Sequence, residues 1–301
     1  MLEPEKATTT PDMFYGRKTI VRRIFSRVGA DRPQSVAVIG GRKIGKTSLL
    51  NHIHHPEVRG DFLEDTQGFI FLKINLKDEG YGDADGFLAD VYRQLTGGDA
   101  KGQNWYTVIQ KYVEETHNSG KKLIFLLDDF HYITRNQNFP LEFFSFLRSL
   151  ANNYNLAYVT TSYLELQKLC IAKDIEESPF FNIFTNLALG MLSSQTALEL
   201  CRDLTGWEEA QAGELVRWCG PLPYALKIAV KKINSSASPS PDGFEKLLLP
   251  ELKGYFEEIL SILPKDAFKP LRELAKGKSP DPRDIHLLQP LIRQNFLTED
   301  A

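Results

Sequence analysis

Gly40, Gly41, Arg42, Lys43, Ile44, Gly45, Lys46, Thr47 and Ser48 are consecutive, and Gly40 to Thr47 satisfy G-x-x-x-x-G-K-[ST] at every fixed position. Glycines at 40, 41 and 45 let such a loop curl until successive N–H groups point inward. A phosphate chain can then lie against bare backbone at the positive end of the following helix. Lys46 has the reach for β- and γ-phosphates, and the Thr47 hydroxyl can ligate Mg²⁺. The run implies a nucleoside triphosphate with Mg²⁺. A chance glycine-rich turn rarely falls between an apolar strand and a helical pattern, as this one does.

A second constellation follows the apolar run 123–127, which closes on Asp128 and Asp129. Hard cations prefer carboxylate oxygens, so Asp128 is assigned to Mg²⁺ and Asp129, together with Lys46, to catalysis, Asp129 orienting the attacking water. Adjacent aspartates also cap helices or solvate turns, but these come directly after a buried strand. The run around 156–161 ends in Thr160, Thr161 and Ser162, which makes Thr161 and Ser162 candidate γ-phosphate sensors, although core strands use threonine freely. His131 stands close to the carboxylates and is read as a packing or surface residue. His52, His54 and His55 lack acidic or cysteine partners at ligand spacing, so no metal site is expected there.

These residues need a scaffold. Apolar runs at 35–39, 68–76, 123–127, 156–161 and 186–191 read as strands. Between them lie stretches with apolar residues at three-to-four spacing, such as Phe87, Leu88, Val91 and Leu95. Alternation of this kind specifies a doubly wound α/β parallel sheet of the P-loop NTPase type, with ligands at the carboxyl ends of the strands. After residue 192 only helical patterns remain. The expected organisation is a flexible arm over 1–12, a nucleotide-binding domain over 13–191, an all-helical lid over 192–233, a Ser/Pro-rich linker over 234–242 and a winged-helix-like unit over 243–301 whose wing begins at 296–298.

A hydrophobic fraction of 42% is ample for a large core, and a net charge of −3 gives no global attraction to nucleic acid or anionic membrane. Cys170, Cys201 and Cys219 cannot all pair and show no ligand spacing, which fits a reducing cytoplasm. No stretch approaches the length of a membrane span, and no membrane partner is expected.

Phe14-Tyr15-Gly16-Arg17, ahead of the phosphate loop, resembles the F-x-G-R segment of STAND and related AAA+ ATPases, and Gly220-Pro221-Leu222-Pro223-Tyr224-Ala225-Leu226 resembles the G-L-P-L-A-L motif of the STAND lid. The resemblance implies that Tyr15, Gly16 and Arg17 cover the adenine and that Pro223 touches the nucleotide from the lid. It implies ATP and ADP as ligands, and a protein partner or self-association on activation. Two departures stand out: many relatives carry arginine where β-strand residues here run Thr-Thr-Ser-Tyr, and AAA+ enzymes usually carry glutamate where Asp129 stands. Both point to slow hydrolysis. Arg148 could serve a neighbouring subunit's phosphate or form a surface ion pair.

The leading expectation is an ATP-binding signal-transduction ATPase that acts as a slow conformational or oligomerisation switch. The alternative is an origin-recognition-like or regulatory DNA-binding ATPase using its winged helix. Cations such as Lys265, Lys269, Arg272 and Lys276 interleave with Asp266, Glu273, Asp281 and Asp284, a pattern closer to a solvated face than to a phosphate track, so DNA is not the favoured partner. A small-molecule kinase lacks an acceptor-site signature. A GTPase is disfavoured because Asn75-Leu76-Lys77-Asp78 is not N-K-x-D and follows the wrong strand.

Overall fold

The structure is a computed structural model that describes residues 6–99, 104–235, 243–261 and 263–297. Among them, five strands form one parallel sheet: β1 (Ser35–Ile39), β2 (Phe69–Asn75), β3 (Lys122–Asp128), β4 (Leu156–Ser162) and β5 (Phe184–Ala188), in the order β2-β3-β4-β1-β5. The chain leaves β1 for the far edge, works back through β3 and β4, and crosses β1 to reach β5. The phosphate loop therefore emerges beside the point where winding changes direction, the usual ligand position in open α/β sheets.

Burial on both faces explains the apolar runs. Every residue of β1 and β4 is buried, whereas the edge strands β2 and β5 are only partly covered. Alternate side chains feed two cores. Val36, Val38, Ile124, Leu126 and Val159 pack against the helices Lys18–Val28 and Lys46–His54 on one face. Leu72, Ile74, Phe125, Leu127 and Tyr158 pack against the helices Ala84–Thr96, Trp105–Asn118 and Leu141–Asn153 on the other. The doubly wound α/β expectation is met.

Apart from β1, the strands differ at their ends from the reading of the sequence, β2, β3 and β4 by single residues and β5 by more. β3 extends through Asp128, which is 2% exposed, so the first carboxylate belongs to the sheet itself. β5 begins at Phe184 instead of 186 and ends before Leu189, because the 3-10 turn Pro179–Ile183 delivers the chain early and Gly190 is drawn toward Asn295.

The helices Ser194–Thr205, Glu209–Cys219 and Pro223–Asn234 pack on one another through Ala197, Leu200, Leu215 and Leu226. Ser193 caps the first by accepting from the Thr196 N–H, and Pro223 opens the third, where its missing N–H costs nothing. The helices Phe244–Leu260 and Phe268–Ala275, a 3-10 turn Pro282–Leu288 and the helix Gln289–Arg293 follow. Leu248, Leu252, Leu288 and Leu291 join the core cluster of the first sheet face. The strand expected to begin a wing is not formed at Phe296 and Leu297, and Thr298 lies outside the described residues. Asn295 adopts a left-handed conformation (φ 59°) and the Phe296 N–H bonds the Leu291 carbonyl, so the chain turns back instead of extending. The linker expected over 234–242 falls mostly outside the described residues. No described helix is long and apolar enough to cross a membrane.

Candidate nucleotide site

The loop after β1 is held tightly from behind. Gly40 donates to the Ser162 carbonyl at 3.1 Å, and a Cβ there would stand 2.3 Å from the Leu189 carbonyl oxygen, so only glycine fits. Ile44 is fully buried, and Gly45, at φ 103°, turns the chain into the helix Lys46–His54. Arg17 braces the loop from below: its guanidinium donates to the carbonyls of Ile44 (2.6 Å) and Gly190 (3.1 Å), and burial pushes it down to about 10.

Lys46 is 8% exposed, and its ammonium donates to the carbonyls of Gly40 (2.8 Å) and Gly41 (2.9 Å). Burial lowers its proton affinity, with Asp129 and Asp128 opposing that shift and Arg42 and Arg17 adding to it. Asp128 is pushed up by burial first and by Asp129 second; hydrogen bonds from Thr161 and Thr47 and the charge of Lys46 hold it down. Thr161 donates to Asp128 Oδ1 at 2.5 Å and accepts from the Asp129 N–H at 2.8 Å, so one hydroxyl fixes both acidic residues. Asp129 sits in a left-handed conformation (φ 56°), and burial raises it as well.

The site fits a magnesium nucleotide on these grounds. Asp128 Oδ2 is buried with no hydrogen-bond partner among the described residues, an arrangement costly without a cation. Thr47 and Asp128 are a hard-oxygen pair suited to Mg²⁺. The cavity above them, about 760 Å³, is lined by the phosphate loop, by Asp129, His131 and Tyr163 at the strand tips, by Pro223, Tyr224 and Lys227 of the lid, and by Glu258 and Gln294 from the last helices.

The sequence-derived candidates separate into groups. Arg42, Lys43, Gly45, Lys46, Thr47, Ser48, Asp129 and Pro223 line the cavity together, with Asp128 directly behind. Tyr15, Gly16 and Arg17 stand outside that lining: Tyr15 bonds Asp203 and Gly16 abuts Thr196, both on the helix Ser194–Thr205. Ser162 is buried and its hydroxyl donates to the Leu164 carbonyl at 2.5 Å, while Arg148 is exposed on the helix Leu141–Asn153. His52 stacks on Phe14 at 4.1 Å.

Several lining residues were not singled out from sequence. Lys227 is one helical turn beyond Pro223, a spacing that carried the signal. Tyr163 was noted only for the arginine it replaces. Nothing local marks Glu258 or Gln294, nor Thr8, which stands outside the lining but whose N–H bonds Ser48 Oγ at 3.0 Å and whose carbonyl accepts from Asn51 at 2.9 Å.

If Asp128 holds the metal and Asp129 orients the water, as the sequence reading expects, the two substitutions should separate. Asp128→Asn is expected to remove the Mg²⁺ dependence of nucleotide binding, and Asp129→Asn to lower turnover at least tenfold with binding retained. Calorimetry with and without Mg²⁺, beside a phosphate-release assay, reads both; parental turnover in Asp129→Asn would sink the water-orienting role.

A family model described as Novel STAND NTPase 2 matches residues 101–258, and one described as AAA domain matches residues 14–168. No curated protein matches the chain. Among solved structures, a Walker-type ATPase of Pyrococcus abyssi is similar at 14% identity and a TM-score of 0.63, with 98% of this chain and 93% of that one covered. The ORC2 protein of Aeropyrum pernix, solved as ADPNP–ADP complexes, aligns at 15% identity and a TM-score of 0.61 over 92% of this chain and 84% of that one. The ORC1 protein of Aeropyrum pernix, in complex with DNA, aligns at 13% identity and a TM-score of 0.56 over 91% and 75%. At these identities the structures establish shared fold alone.

Proposed function

This chain belongs to the STAND-type, AAA+-related P-loop ATPases, and from that premise we propose that it works as a slow nucleotide-dependent switch and not as a fast motor. One observation carries the reading: the last helices sit directly on the phosphate loop. The Gly41 N–H donates to the Gln294 carbonyl at 2.7 Å, the Asn295 amide donates to the Ile39 carbonyl at 3.2 Å, and a Cβ at 41 would stand 2.3 Å from the Phe296 ring. Tyr255 donates to the Arg42 carbonyl at 2.9 Å and Glu258 pairs with the Arg42 guanidinium. A loop whose N–H groups serve phosphate is thus coupled to the far end of the fold, and any preference of that end for one loop state is reciprocated in nucleotide affinity.

Lys46 and the loop N–H groups would hold the phosphates, Thr47 and Asp128 would hold Mg²⁺, and Pro223 and Tyr224 would close the cavity from the lid. Bound Mg²⁺ supplies charge neutralisation at the phosphoryl oxygens. Asp129 orients and deprotonates water, with the shorter reach of aspartate favouring slow turnover. We place the protein in the cytoplasm: burial pushes the thiols of Cys170, Cys201 and Cys219 up to about 12, which suits inert, reduced cysteines.

The switch is tested by mass. Exchange of ADP for a non-hydrolysable ATP analogue should change oligomer size or bring a protein partner onto the chain, read by light scattering after gel filtration. Identical mass and hydrogen exchange in both states would remove the switch.

DNA binding is the second reading, favoured by Lys265, Lys269, Arg272 and Lys276 gathering round one hollow of the last helices. Asp266, Glu273 and Asp284 line the same hollow, with Asp284 paired to Lys269 at 4.0 Å, which weakens it as a phosphate track. A salt titration of duplex affinity separates the two: this reading needs a steep salt slope.

A further inference from the structure

We propose that the outer edge of β2 is a docking site for an extended acidic segment of a partner protein, and that its occupation loosens the hold of residues 6–8 beside the nucleotide cavity. The inference rests on the reading of this chain as a nucleotide-dependent switch and names the site where a partner would act on it. Among the described residues β2 pairs with β3 alone, and a strand in that position offers its outer backbone groups to one more strand. At its middle, the His54 side chain hydrogen-bonds the Phe71 backbone.

Phe69, Phe71 and Lys73 alternate along one face of β2 and are half-buried. Each position carries a cation. Lys122, the register partner of Phe69, lies over that ring at 5.1 Å; Arg59, from the helix Pro56–Phe62, lies over the Phe71 ring at 4.8 Å; Lys73 is the third. Alternate residues of a strand stand roughly 6.6 Å apart, so the charges repeat at the spacing of side chains on one face of an added strand. None of the three pairs with a carboxylate among the described residues: Lys122 donates to the carbonyls of Gly29 (3.3 Å) and Ala30 (2.9 Å), and Arg59 Nε is buried without a hydrogen-bond partner. The neighbouring acids face imidazoles, Glu57 standing 3.9 Å from His55 Nδ1 and Asp61 acting on His52. Burial, followed by the charges of Arg59 and Lys73, holds the His54 imidazole below its ordinary range, so positive charge is concentrated here. Such a ladder is complementary to carboxylates at alternate positions. The two rings already carry cations and are not open platforms for bases, which favours a peptide over a single-stranded nucleic acid.

Lys73 also begins a chain of contacts to the nucleotide cavity. Its ammonium donates to Asn51 Oδ1 at 2.5 Å, which leaves the Asn51 amide nitrogen to donate to the Thr8 carbonyl at 2.9 Å. The Thr8 N–H donates to Ser48 Oγ at 3.0 Å, and the Thr8 hydroxyl accepts from Lys227. Lys6, Ala7, Ser48 and Lys227 line the cavity, so the chain fastens the arm to both the phosphate-loop helix and the lid. A carboxylate that draws Lys73 outward frees the Asn51 amide, and the arm loses one of its fastenings. Nucleotide exchange should then quicken.

The test uses the full chain and three fluorescent probes: a short peptide alternating glutamate with threonine, a peptide of equal composition with its glutamates in one block, and single-stranded oligothymidine. Anisotropy at low salt should show the alternating peptide binding about tenfold more tightly than either of the others. Arg59→Glu combined with Lys122→Glu should abolish that binding and take up instead a peptide alternating lysine with threonine, which also shows that the variant is folded. Saturating alternating peptide should speed release of a fluorescent ADP about fivefold. Asn51→Ala should release ADP fast without peptide, bind the peptide as the parent does and gain no further speed from it. Equal affinity for the blocked peptide, tighter binding of oligothymidine, or ADP release indifferent to bound peptide overturns the proposal. Identical mass and hydrogen exchange in the ADP and ATP-analogue states is a separate failure, that of the switch reading beneath it.

Discussion

Lys46→Ala is expected to weaken ATP binding by about 4 kcal/mol, roughly a thousandfold in affinity, while the sheet stays folded. The ammonium is almost wholly buried, and burial disfavours its charge until an anion faces it, so a phosphate chain stands to gain an unusually strong charge-assisted contact. The side chain contributes little to either core, and its removal strips a donor only from the Gly40 and Gly41 carbonyls. Calorimetric titration with ATP reads the loss, and near-parental circular dichroism checks the fold. Equal affinity in variant and parent would refute the assignment of 40–48 to phosphate.

Phe296→Ala is expected to release the last helices from the phosphate loop, at a cost of about 3 kcal/mol for the buried ring. Phe296 is 8% exposed and lies against Gly41, where no other residue leaves room for it. Gly41→Ala should reproduce the effect from the other side, because the added methyl enters the space the ring occupies. In both variants hydrogen exchange should quicken across 263–297 while β3, paired on both sides, stays protected, and bound nucleotide should dissociate faster. Unchanged exchange in both would show that the seat on the loop carries little energy, and the coupling proposed for the switch would lose its physical route.

The phosphate loop and the acidic pair were legible because their chemistry is local. Residues 35–48 are contiguous, and strand, loop and helix each follow from the residue types inside that stretch; the same holds for β3 and the aspartates at its end. Burial on both faces wrote the central strands as apolar runs, and three-to-four spacing marked the helices that cover them. The edge strand β5 was misplaced by two residues because its start depends on where the turn Pro179–Ile183 delivers the chain, which its own sequence does not encode.

What tertiary structure alone decided lies between residues far apart in sequence. Arg17 supports Ile44 and Gly190 in place of lining the cavity, and Thr161 serves both aspartates. His131 looked like packing from sequence because nothing in Asp-Asp-Phe-His shows which way the imidazole turns; in the fold it lines the cavity edge-on to the ring of Tyr163. Gln294, Asn295 and Phe296 carry no motif, yet they close on the loop some 250 positions earlier, through one backbone bond, one amide and one ring. A motif records which chemistry a short stretch can do. Which distant groups join it depends on the packing of two cores and the register of the sheet, and those are properties of the whole chain.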